Sequence, residues 1–212
     1  MSVFTDRYDA IYNSVVTLTG RSDYVDETAV AIRNATLSVH LSDHFPRDIV
    51  STSVSATTSS FSQQLDTLAL FARFRDVSAV ALRNSDGEQI LSPPIELVEV
   101  GDLYEPGYPG VRKQNIAWLA GSLLNIYSSL ASYGCYVDWF QSPSLPRDSY
   151  NSWIADSYPD PIVWYAAMIV WNRSGNEKKS SEARTMLFGT PGNDYTALIP
   201  TLKRNFSTTA GR

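Results

Sequence analysis

His40 and His44 are the residues best spaced for chemistry in this chain, four positions apart at the end of an apolar-periodic stretch. On a continuing helix, side chains four apart share a face and can meet one metal ion, with Asp43 as a carboxylate ligand. Such a site would support metal-dependent hydrolysis. The chain has 2 histidines in all, so a closed four-ligand site needs Cys135 or further carboxylates. Histidines near a helix C-terminus also suit the unpaired carbonyls and the negative end of the dipole. Acid–base partners are available at Asp26/Glu27, Asp138 and Asp156/Asp160. Each has a structural task as well: Asp26 and Glu27 in a first helical turn, Asp160 as a cap, and Asp138 as the polar, water-facing alternate of an aromatic strand. Nucleophile patterns are weaker still. There is no G-x-S-x-G elbow, and Cys135 reads as a small buried strand residue. Phosphate-binding glycine loops are absent, and Gly107–Gly110 reads as a turn. The balance favours no catalytic residue, no metal ligand and no cofactor.

Charge excludes a second class of function. The net charge is −5, whereas a protein that grips nucleic acid through its phosphates needs an excess of Lys and Arg. The basic residues come as short pairs, Arg73/Arg75, Arg112/Lys113, Lys178/Lys179 and Lys203/Arg204, none interleaved with aromatics in a binding pattern. With 212 residues and 43% hydrophobic content the chain can bury a substantial core. Cys135 is the single cysteine, which fits a reducing compartment. No basic segment followed by an apolar stretch opens the sequence, and no apolar run is long enough to span a bilayer. The expectation is neither secretion by a cleavable signal nor a membrane span.

The elements that would position these residues fall into three stretches. Phe4, Tyr8, Ile11, Val15 and Leu18 recur at helical spacing, Gly20 supplies a stop, and Ser22 or Asp23 offers the next N-cap. Val25, Ala29, Ile32, Thr36 and Val39 line one side of the second helix, which Pro46 ends. Val30, Leu37 and Leu41 lie on another side, so this helix is expected to be buried on two faces, the second against another subunit. From Asp48 the pattern turns to short β runs: Ile49–Ser55, Val77–Leu82, Ile95–Val100, Ile116–Ala120, Leu123–Ser128 and Tyr133–Gln141. Asn84-Ser85-Asp86-Gly87 is a hairpin signal, and Gly101–Gly110 must be mostly loop. Helix returns with Asp160 as cap and Pro161 at the first position, then an apolar core helix over Ile162–Trp171 closed by Gly175. Another helix starts near Asn176, a break is expected at Gly189–Gly192, and a final helix runs through Leu198, Leu202 and Phe206, kinked at Pro200.

These stretches predict an α+β fold, an α-helical bundle with an inserted antiparallel β-sheet module. The boundaries are 1–47 for an N-terminal helical hairpin, 48–145 for the β-rich module, 146–206 for C-terminal helices completing the bundle, and 207–212 for a loose tail. Ser51–Ser62 is nearly all Ser and Thr with few charges, which suits an exposed edge strand or a polar linker. An uncharged edge invites pairing with another chain. All five tryptophans, Trp118 to Trp171, lie in the second half and imply wide packing surfaces there.

Three segments resemble one family. Ala29–Ile49, AVAIRNATLSVHLSDHFPRDI, resembles the helix-to-strand passage of head–tail connector (adaptor) proteins of tailed bacteriophages. LLNIYSS at Leu123–Ser129 and SWIADSYPDPIVWYAA at Ser152–Ala167 are similar to a late strand and to the entry into the central C-terminal helix of those proteins. The Gly189–Gly192 break and Pro200 depart from the more continuous helix expected there. The resemblance implies a structural virion protein of the neck, made in the host cytoplasm and free of membrane. It would form a homo-oligomeric ring, usually dodecameric, under the portal protein, extend the DNA channel without binding DNA specifically, and dock a tail or nozzle protein. Val30, Leu37 and Leu41 would then face a neighbouring subunit, and Leu198, Leu202, Lys203, Arg204 and Phe206 the portal. The alternatives are a tail-completion or terminator ring and, from another class, a small metal-dependent hydrolase using His40, His44 and Asp43.

Overall fold

In a computed structural model of the chain, residues 3–58, 61–90, 94–106, 111–130, 132–190 and 192–206 are described. The fold is mixed α+β. The chain divides into two compact units, one made of Met1–Asp48 with Ser142–Arg212 and one of Ile49–Gln141. Sequence patterning draws the inserted module at 48–145, whereas Ser142–Leu145 packs with the helical unit.

The helical unit contains α1 (Val3–Thr19), α2 (Val25–His40), the short α4 (Trp153–Ser157), α5 (Asp160–Arg173), α6 (Glu177–Phe188) and α7 (Leu198–Phe206). Tyr8, Ile11 and Val15 of α1 are buried at the predicted spacing; the side chain of Phe4 lies outside the described residues. Gly20, at φ +67°, stops α1 in a conformation costly to other residues. The cap of α2 differs from expectation. Tyr24 occupies the N-cap position without a side-chain bond, because both Asp23 carboxylate oxygens are taken by the Arg21 guanidinium at 2.9 Å. That pairing holds the Asp23 carboxyl below its ordinary pKa.

α5 packs against α1, α2 and α6, and α2 and α6 each pack mainly on α5 rather than on each other. Pro161, Ile162, Val163, Ala166, Ala167, Val170 and Trp171 of α5 are all buried, which is why it reads as apolar nearly all round. Its N-cap is Pro159 rather than Asp160, a shift of one position. The Asn176 side chain caps α6 by accepting from the Lys179 N–H. Gly189 ends α6; of the predicted break, Pro191 lies outside the described residues. α7 starts at Leu198, so Pro200 falls in its first turn, where its missing N–H has no intrahelical partner to lose. The expected kink is therefore unnecessary. No helix among the described residues is long and apolar enough to cross a membrane.

The second unit holds β1 (Ile49–Thr58), β2 (Phe61–Asp66), a one-turn helix α3 (Thr67–Leu70), β3 (Phe74–Arg83), β4 (Gln89–Ile90), β5 (Glu96–Leu97), β6 (Ile116–Ala120), β7 (Leu123–Ser128) and β8 (Ser132–Gln141). One four-stranded sheet has the order β1-β8-β3-β4, the other β2-β7-β6-β5. Every pairing is antiparallel except the short β5–β6 pair, which is parallel. The two sheets share a core that includes Leu82, Val137 and Cys135 from one and Leu65, Leu124 and Ile126 from the other. The predicted hairpin joins β3 to β4, with the Asn84 carboxamide oxygen accepting from the Asp86 and Glu88 N–H groups. Ile95–Val100 gives only the two-residue β5, followed by a 3₁₀ turn at Val100–Asp102. Residues 107–110 of the expected loop, 59–60 of the Ser/Thr-rich segment and the tail at 207–212 lie outside the described residues. β1 is a terminal strand of its sheet, as is β2 of the other. Gly134 on β8 backs onto β1 so closely that a Cβ there would overlap the Val54 carbonyl oxygen.

Candidate functional site

His40 is the last residue of α2 and is 1% exposed. The helix ends there, so His44 does not occupy the next turn of the same face, and the spacing rule behind a shared metal site does not apply. His44 is exposed, with its backbone N–H donating to Asp43 Oδ1 at 2.7 Å. Among the described residues no group of three or more His, Cys, Asp or Glu is arranged to hold a metal ion. The end of α2 at His40 thus removes the shared helical face on which the His40/His44/Asp43 expectation rested.

What His40 meets instead is a different constellation. Its Nδ1 lies 3.0 and 3.1 Å from the two Asp48 carboxylate oxygens, and its Nε2 lies 2.9 Å from Ser152 Oγ. Asp48 closes the 3₁₀ turn Pro46–Asp48, and Ser152 is the N-cap of α4, accepting the Ala155 N–H at 3.1 Å. Trp153 Nε1–H also donates to Asp48 Oδ1, at 2.8 Å. Because a carboxylate oxygen only accepts, Nδ1–H donates to Asp48, while Nε2 makes the hydrogen bond to the Ser152 hydroxyl. One helical turn earlier Thr36 gives its proton to the Ile32 carbonyl at 2.8 Å, so Tyr150, 2.7 Å away, is the donor in the second buried bond. Burial pushes the Tyr150 hydroxyl up to about 12.

Asp–His–Ser in this connectivity is the arrangement of a nucleophile triad. Its setting is wrong for acyl transfer. Ser152 is 2% exposed, Asp48 5% and His40 1%. The Ser152 oxygen is already engaged at a helix start, where it accepts the Ala155 N–H. The set instead pins the end of α2, the 3₁₀ turn and the start of α4 together. Sequence reasoning missed it because Asp48 and Ser152 stand 8 and 112 positions from His40. The one local signal that could have pointed to it is Ser152, a Ser opening a short helical turn.

The proposed carboxylate pairs are likewise occupied with structure. Asp156 pairs with Arg7 at 2.9 Å, Asp138 accepts from Ser51, and Asp26 and Glu27 sit in the first turn of α2. Asp160 is in the first turn of α5. Cys135 is fully buried, and burial raises its thiol to about 11.

The surfaces carry more functional content. Val30 and Leu41 are 40% and 53% exposed, and Leu37 is half-buried. At about 100° per residue these three fall within about 40° of one another, opposite the buried face of Ile32, Ala35 and Val39. The C-terminal arm departs from expectation. Leu202 is fully buried in the core of the helical unit and is not available as a contact. Phe206 turns inward, edge-on to Trp153 and Tyr158 at 5.4 and 5.6 Å between ring centres. Arg204 lies 4.0 Å over the Tyr195 ring and donates to the Tyr195 carbonyl at 2.9 Å. Leu198 and Lys203 remain half-buried, while Met186, Phe188 and Tyr195 are the large exposed apolar groups of this region. A groove of about 540 Å³ is lined by Leu18, Trp164, Trp171, Lys179 and Met186 among others.

No family model matches the sequence, and no curated protein is significantly similar to it.

Proposed function

We propose that this chain is a structural virion protein, a head–tail adaptor that forms a ring under the portal, extends the DNA channel and docks the tail. The observation that carries the reading is the outer face of α2. Val30 and Leu41 are exposed and Leu37 half-buried on a helix whose Ile32, Ala35 and Val39 are fully buried on the opposite face, and all three lie within Ala29–Ile49, one of the segments that carry the resemblance. Large apolar groups left on one side of an otherwise satisfied helix suit a subunit contact. The burial of Ser152, His40 and Asp48 favours a non-catalytic role over hydrolysis. A net charge of −5 suits a channel through which DNA slides, since a basic lining would hold it.

The test is to mix the purified chain with portal-bearing, tail-less capsids and image them in negative stain. The expected result is added ring density at the portal vertex. A chain that stays monomeric and leaves capsids undecorated refutes the proposal. Decoration of tail tubes rather than capsids would assign it to the tail-completion ring instead.

A further inference from the structure

We propose that Arg83, Ser55 and Ser132 form a binding site for one tetrahedral oxyanion, phosphate or sulfate in class, over Gly134 in the β1-β8-β3-β4 sheet. The site lies wholly within the β unit and does not depend on the adaptor reading.

Strand register brings these residues together. Ser55 of β1 and Arg83 of β3 both pair with Gly134 of β8, so the three stand in one row across the sheet. Ser132, two positions from Gly134 on the same strand, falls on the same face by alternation. Gly134 carries no side chain, and the Arg83 guanidinium crosses above it to donate from Nη2 to Ser55 Oγ at 3.2 Å. A Cβ at Gly134 would lie 3.2 Å from that same nitrogen, so the glycine keeps the space open.

The donors in this row lack an acceptor. On a guanidinium, Nε–H and Nη2–H point the same way and together grip two oxygens of one anion. Arg21 and Arg147 use this fork on Asp23 and Asp9, at 2.8 to 3.0 Å. In Arg83 the fork is half filled: Nη2 has the neutral Ser55 hydroxyl, and Nε is buried with no acceptor. Ser132 is 1% exposed, and its Oγ has no partner either. Buried donors left unpaired cost free energy that a bound acceptor recovers. No carboxylate pairs with Arg83 among the described residues. Asp86 and Glu88 of the adjoining hairpin are exposed, and Glu88 accepts from Asn84 Nδ2 at 3.3 Å. Cys135, next along β8, supplies no counter-charge, because burial pushes its thiol up to about 11. A planar carboxylate would fill the fork alone. A tetrahedral oxyanion has a further oxygen out of that plane for the Ser132 hydroxyl, which β8 rather than β3 carries. Ser55 is exposed, so the anion enters from its side and takes its place on Nη2.

Heteronuclear NMR on the isotope-labelled full chain tests this, reading the Arg83 Nε–H and Gly134 N–H signals at constant ionic strength. Inorganic phosphate and inorganic sulfate should each shift both signals saturably, while chloride and acetate should not. Read at Gly134, Arg83→Gln should weaken binding by at least about tenfold, since it removes the charged fork. Ser132→Ala should weaken it by about threefold, since it removes one neutral donor, and it keeps the test open if Arg83→Gln disturbs the fold. A short single-stranded oligonucleotide, the phosphodiester source of the same chemistry, should leave both signals in place. Shifts produced by the oligonucleotide alone overturn the assignment to a free oxyanion. The absence of saturation, equal shifts with acetate or chloride, or binding undiminished in either variant overturns the site.

Discussion

Replacing Asp48 by Ala tests whether the buried Asp–His–Ser set holds the fold or performs chemistry. The substitution removes the acceptor for two donors, His40 Nδ1–H at 3.0 Å and Trp153 Nε1–H at 2.8 Å. Each buried donor left without a partner costs about 1–3 kcal/mol. Trp153 is only half-buried, so water recovers part of its share. The expected loss is about 3–4 kcal/mol, in line with breaking one side of a buried pair. Asp48→Asn should cost less, about 1–2 kcal/mol. Its carboxamide oxygen still accepts from Trp153, and its N–H can serve Nδ1 if the ring changes tautomer and Ser152 becomes the acceptor.

Urea unfolding followed by tryptophan fluorescence reads this, since Trp153 belongs to the network. With a slope of about 2 kcal/mol per molar urea, Asp48→Ala moves the midpoint down by about 1.5–2 M. Asp48→Asn moves it by under about 1 M. Asp43→Ala, at the residue the metal reading would need, moves it by less than about 0.3 M. If Asp48→Ala leaves the midpoint within about 0.5 M of the parent, the network does not hold the fold. If Ser152→Ala abolishes an esterase activity of the parent at unchanged stability, the set is catalytic and the structural reasoning fails.

Three further outcomes follow from single residues. Gly134→Ala should destabilise the β unit by about 1–3 kcal/mol, because its Cβ meets the Val54 carbonyl oxygen, and the loss shows in urea unfolding monitored by amide hydrogen exchange of β1 and β8. Leu202→Ala should cost about 2–5 kcal/mol as a core truncation, while Arg204→Ala, at the surface, costs under about 1 kcal/mol in the same assay. Tyr150 has its hydroxyl raised from 10.0 to about 12, so the folded state keeps its proton where the unfolded chain loses it. Stability from this group is full below pH 10 and falls by about 2–3 kcal/mol as pH climbs to 12. Tyr150→Phe should flatten that alkaline decline relative to the parent, and an unchanged slope would contradict it.

The parts of the fold legible in the sequence are those whose information is periodic. α1 and α2 carry apolar residues at helical spacing over 17 and 16 residues, long enough for the period to outweigh single exceptions. β6, β7 and β8 were readable because short β-rich runs are bounded by turn residues. The short helices α3 and α4 were not. Their 4 and 5 residues contain too little periodicity, and each depends on one cap, Asp66 or Ser152. Pro200 misled in a related way. A proline signals a kink only if the helix began earlier, and the start of α7 at Leu198 depends on Ala197, Ile199 and Leu202 finding the core.

The histidines show the same limit at the candidate site. Spacing four apart implies one face only while the helix continues, and whether α2 continues past His40 is decided by what His40 meets. Its ring is held by Asp48 on one side and Ser152 on the other, so the backbone leaves the helix where the side chain finds its partners. The residue types that suggest catalysis are therefore used to end a helix and start another. On the outer face of α2, Val30 and Leu41 stay exposed. With His40, Asp48 and Ser152 buried as joints between elements, the exposed Val30 and Leu41 are the features of this segment that the proposed assembly would use.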